Sequence, residues 1–180
     1  MLVAGVASRS WDATIEGTPP PPSGSASRKA TMDPAARPDS RDRDEHGRAR
    51  QARPRDALGR PLPYGATGVE PVSEEPLPPL ETLARARELL DEGRPFSAHE
   101  VLEARWKACP EPERDLWQGL AQLCVGLTHH ARGNAVGATR LVERAAGRLE
   151  AYAASDRPAY DLDLPALVAC VRRRLDPSSR

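Results

Sequence analysis

Two short stretches of this chain carry side chains able to hold an ion or a polar ligand. His99, Glu103 and Trp106 recur at i, i+4 and i+7, and Gln118, Gln122 and His129 recur at i, i+4 and i+11. At about 100° per residue, each set falls on one narrow strip of a helix. Leu102 shares the first strip and Val125 the second, so both are expected to point toward a core. An imidazole and a carboxylate buried without partners would be costly, and the second strip supplies partners for the first. Arg132, near the same helix end, is placed to balance the Glu103 charge.

Three chemistries fit this arrangement. His99 and Glu103 can hold one divalent metal ion with His129 as third ligand, although only two of those three sit within one motif. Trp106 or Trp117 can wall a pocket for a small molecule, with Gln118, Gln122, Arg132 and Asn134 as polar contacts. The same groups can instead form a hydrogen-bonded network that only fixes helix register. Were a metal present and catalytic, Glu100 or Glu103 would be the base for a bound water; no residue is assigned a catalytic role. The run from His99 to Glu103 lacks the second histidine of H-E-x-x-H, so metalloprotease chemistry is not supported. Gly-rich phosphate loops and defensible nucleophile–base trios are missing as well.

The elements that must position these groups read as helices throughout. Leu80, Leu83, Leu89 and Leu90 predict a helix from about Pro79 to Glu92, closed by Gly93. The S-x-x-E pair Ser97 and Glu100, with Phe96 and Val101 as a hydrophobic staple, predicts a capping box opening a second helix. That helix ends near Ala108, ahead of Pro110 and Pro112. Leu116, Leu120, Leu123 and Leu127 stripe a central helix from about Glu113 to Arg132, where Gly119 and Gly126 would admit a neighbouring backbone, in this bundle or in a partner. Gly133 closes it and Asn134 caps a fourth helix to about Tyr152; a fifth runs from about Pro165 to Leu175. No segment alternates with period two. The expectation is an all-α antiparallel bundle of four to five helices at 76–176, behind a disordered Pro/Arg-rich tail at 1–75 whose residues 60–71 pack on the core.

Composition narrows the function classes. Lysine plus arginine and aspartate plus glutamate both number 26, so no global field points to nucleic acid or an anionic membrane. Three cysteines form an odd, unpaired set, which fits a reducing cytoplasm. No apolar run approaches the roughly 20 residues of a membrane helix. A homo-oligomer or a protein partner is the association left open.

The motifs themselves resemble a known family. FSAHEVLEARW followed by WQGLAQLCVGLTHHARGNAVGA is similar to the domain-of-unknown-function family numbered 309, over roughly Leu80 to Tyr152. Its H-x-x-x-E-x-x-W/Y signature falls on His99, Glu103 and Trp106. Its Q-G-L-x-Q stretch falls on Gln118, Gly119, Leu120 and Gln122, and its H-x-x-R-G-N stretch on His129, Arg132, Gly133 and Asn134. Thr128 departs from the larger residue common at its position. The resemblance implies a small all-helical bundle and carries a suggestion of metal binding at the signature, with no reaction or substrate attached.

Overall fold

The computed structural model describes residues 53–176. Residues 1–52, on which most of the expected tail falls, lie outside the described residues.

Five helices follow in order: α1 (Pro79–Asp91), α2 (Pro95–Ala108), α3 (Arg114–Ala131), α4 (Ala135–Ala153) and α5 (Leu164–Leu175). Among the described residues there is no strand, only an isolated antiparallel bridge between Arg55 and Pro61. Each helix packs on the next in sequence, and α3 also touches α5. α3 is the centre because its apolar residues run around most of its circumference. Leu116, Trp117, Leu120, Ala121, Leu123, Cys124 and Leu127 are all buried there. Such a helix is stable only when wrapped by others. α4 comes closest: a methyl group added at Gly126 would lie 2.6 Å from a Val142 methyl, and one at Gly119 would lie 2.6 Å from Leu149. These two glycines therefore serve packing inside the bundle, and the partner-interface reading of them does not hold.

The helix ends show where local chemistry overrode one expectation. α2 begins at Pro95, not at a Ser97 cap. Proline has no N–H to leave unpaired in a first turn and its φ is already helical, so the start moves forward to it. Ser97 ends up buried inside the first turn, where its hydroxyl accepts from Arg94 Nη2 at 3.3 Å. The capping box and staple are not formed. At the α3–α4 turn, Gly133 takes φ +81° and Asn134 Oδ1 accepts from Gly137 N at 2.9 Å, as the sequence indicates. Asp163 does the same job for α5, accepting from Ala166 N at 2.9 Å.

Ahead of α1, residues 53–72 fold back as a strap. Asp56 closes its tip: the carboxylate accepts from Leu58 N (3.0 Å) and Arg60 N (2.8 Å), and the Asp56 carbonyl accepts from Gly59 N at 2.8 Å. Leu62 N to Pro54 O and Val69 N to Arg55 O, both 2.8 Å, tie the two sides together. Elsewhere α1, α2, α3, α5 and Leu162 border a hollow lined by apolar side chains alone, among them Leu83, Leu90, Leu120, Leu127 and Val171. Among the described residues no helix is long and apolar enough to cross a membrane.

Candidate functional site

The core face of α2 is set by Ala98, Val101 and Leu102, all buried. His99, Glu103 and Trp106 lie beside that face and are half-buried, so the strip runs along the shoulder of the helix and not into the core. α3 answers with its own shoulder, where Gln118, Gln122, Val125 and His129 are likewise half-buried. Since α2 and α3 pack together, the two shoulders border a polar seam between them.

Within the seam, His99 Nε2 stands 3.6 Å from Glu103 Oε2, and Lys107 Nζ reaches Glu103 Oε1 at 3.1 Å. Burial pushes the His99 pKa below 6.5; the nearby Glu103 carboxylate and the Ala121 carbonyl oppose this, and Lys107 adds to it. The ring is therefore neutral at pH 7. Its Nδ1 is buried and meets no hydrogen-bond partner in the protein, and the same holds for Trp106 Nε1 and Gln122 Oε1. Buried polar atoms are almost always paired, so three unpaired ones on one seam are unusual.

His129 sits on the same seam but is engaged elsewhere. Asn134 Oδ1 is occupied by the Gly137 N–H, which turns the Asn134 amide nitrogen toward His129 Nδ1 at 2.9 Å. That nitrogen donates, so Nδ1 accepts and the proton of the neutral ring sits on Nε2. The ring then has no free lone pair for a metal. Among the described residues no group of three or more His, Cys, Asp or Glu side chains is placed to hold an ion. The expected His99–Glu103–His129 metal site is thus not assembled, because its third member is a helix-cap residue. Asn134 is its partner in that cap.

Arg132 is also spent differently than expected. It does not balance Glu103; its Nε donates to the Leu58 carbonyl of the strap at 2.9 Å, and Nη2 donates to the same oxygen. Its guanidinium lies 5.9 Å from the centre of the Phe96 ring, and that of Arg55 lies 5.4 Å from it. Burial pushes the Glu100 carboxyl up, against the pull of Arg55 and Arg94. Thr128 is buried with its hydroxyl donating to Cys124 O at 2.8 Å, which satisfies it locally.

A second polar hub, absent from the sequence reading, closes the opposite end of α2. Glu113 accepts from Trp117 Nε1 at 2.9 Å and pairs with Arg105 at 3.5 Å, while Tyr160 stacks on Trp117 with ring centres 5.7 Å apart. Arg114 lies 5.2 Å from the centre of the Trp106 ring. The i, i+4 spacing of Glu113 and Trp117 was the available signal. Tyr160, far along the chain, gave none.

Residues 83–141, from the middle of α1 into α4, match a family described as a domain of unknown function (DUF309). Over those residues the chain is similar to that family. The matched segment contains every residue of the seam and the His129–Asn134 cap. Over 70 residues the chain is 41% identical to the uncharacterized protein YpuF of Bacillus subtilis (strain 168), a stretch that is 38% of this chain and 38% of that one. The alignment thus spans well under half of the relative's length, and its name prints no activity. No solved structure matches.

Proposed function

We propose that this protein is a cytoplasmic, non-catalytic binding module that takes a small polar ligand in the seam between α2 and α3. The observation that carries this is the set of unpaired buried atoms: Trp106 Nε1 needs an acceptor, Gln122 Oε1 needs a donor, and His99 Nδ1 on α2 is unpaired as well. An amide or a nucleobase edge presents a donor and an acceptor together, so ligands of that pattern suit the seam. Metal binding is the weaker reading, since His99 and Glu103 supply two ligands and a mononuclear site uses at least three protein groups. Three cysteines outside any disulfide fit the cytoplasm.

A screen of small amides, nucleobases and carboxylates against the full chain, read by melting temperature and tryptophan fluorescence, tests the proposal. Compounds that stabilise the wild type but neither Gln122→Leu nor Trp106→Phe support it. No hit, with Gln122→Leu clearly less stable than wild type, assigns the seam to architecture.

A further inference from the structure

The strap is held by a surface that reads backbone, not side chains. Arg132 at the end of α3 grips the Leu58 carbonyl, and Arg94 Nη2 ahead of α2 donates to the Glu70 carbonyl at 2.6 Å. Between them the Phe96 ring lies against Gly59. This glycine has φ +74°, and a methyl group added to it would fall 2.3 Å from Phe96 Cγ. Only glycine therefore fits, for backbone and steric reasons together. The Asp56 carboxylate pre-forms the turn that delivers Gly59 and the Leu58 carbonyl, so recognition rests on a compact Asp-x-x-Gly element.

Nothing in those contacts requires the turn to come from the same chain. The link to α1 runs through Ser73, Glu74, Glu75 and Pro76, and all four are exposed. Val72 before them and Leu77 after them pack on the core, so the exposed four form a hinge, about 13 Å long when extended. Exchange of an identical element about such a hinge is a low-cost route to a dimer. We propose that the Arg94–Phe96–Arg132 platform accepts the Asp56–Arg60 turn of a second copy of this chain, so that the protein pairs by strap exchange. This is independent of any ligand in the seam.

Two full-length variants separate the halves of the contact. Gly59→Ala disables the turn and leaves the platform intact. Arg132→Ala, at an exposed position, weakens the platform and leaves the turn intact. Hydrogen exchange should first show both variants folded, with α3 amides protected and the strap amides of Leu62 and Val69 exchanging on the order of tenfold faster or more. Light scattering is then recorded up to about 1 mM, the scale of the local concentration a short linker supplies. The expected result is monomer for each variant alone, a heterodimer in their mixture, and a dimer fraction in wild type that grows with concentration. A mixture that stays monomeric while its straps are free overturns the proposal. So does a dimer that persists equally in both single variants, or a synthetic strap peptide that binds Gly59→Ala while the chains themselves never pair.

Discussion

His99 and His129 face one seam from neighbouring helices, and the contrast between them separates architecture from a site. The His129 Nδ1 lone pair is met by Asn134, whose carbonyl oxygen caps α4 through Gly137 N. His99 has a long contact to Glu103 and feels the Ala121 carbonyl, while its Nδ1 is buried and makes no hydrogen bond of normal geometry. A histidine woven into a cap stabilises the fold whatever the protein binds. One left short of a partner contributes less than its burial costs, unless something else completes it. The polar groups of this protein can be sorted by the same question, and substitution should give different answers on the two sides.

The largest effect is expected at the most completely satisfied group. Glu113 and Arg105 are mostly buried, with side chains 13% and 16% exposed, and Glu113 also accepts from the Trp117 indole. Glu113→Ala strands a guanidinium and an indole N–H at once, and should lower stability by about 2–3 kcal/mol in chemical denaturation. A loss below about 0.5 kcal/mol would place this hub with surface ion pairs instead. Next comes Asn134→Ala, which removes both the α4 cap and the His129 partner. Its expected cost is about 1–2 kcal/mol, with the His129 ring resonances shifting in NMR while those of His99 stay in place.

The pH dependence belongs to His99. Its folded pKa is depressed below 6.5, so the unfolded chain holds the proton more tightly. The stability linked to this group is therefore whole above pH 6.5 and is lost as pH falls through the folded value. Wild type should lose stability as pH falls below about 6.5, and His99→Gln should flatten that slope. Glu100 acts with the opposite sign in a lower window: its folded pKa is raised above 4.5, so its contribution is present below 4.5 and fades as pH rises through the folded value. An unchanged slope in His99→Gln would mean that the ring is better solvated than its surroundings indicate.

The sequence disclosed the fold through helical periodicity and punctuation, because those signals are local. Leu116, Leu120, Leu123 and Leu127 marked the central helix, and Gly133–Asn134 marked a stop and a start. The error at the α2 start came from two local signals in competition, where Pro95 outranked Ser97. The site was only half legible. Angular arithmetic put His99, Glu103 and Trp106 on one strip with Leu102 at its edge and aimed that strip at the core, whereas Ala98, Val101 and Leu102 face the core and the strip rides the shoulder. Periodicity also could not show that His129 would be claimed by Asn134 five residues on, or Arg132 by Leu58 at 74 residues' separation. Those assignments depend on tertiary neighbours, and side-chain type alone does not declare them.

The smallest expected effect is the most discriminating. Gln122 is half-buried with an unpaired Oε1. If that oxygen has no partner within the fold, replacing the amide with the similar volume of leucine removes a desolvation cost and loses no bond. Gln122→Leu should then sit within about 0.5 kcal/mol of wild type, or above it. Polar groups that raise no stability where they stand are the ones a binding role would explain. A clear loss of about 1–3 kcal/mol in the apo protein would show instead that Gln122 is already satisfied, as His129 is. The contrast between the two histidines would then collapse into a single packing network across α2 and α3.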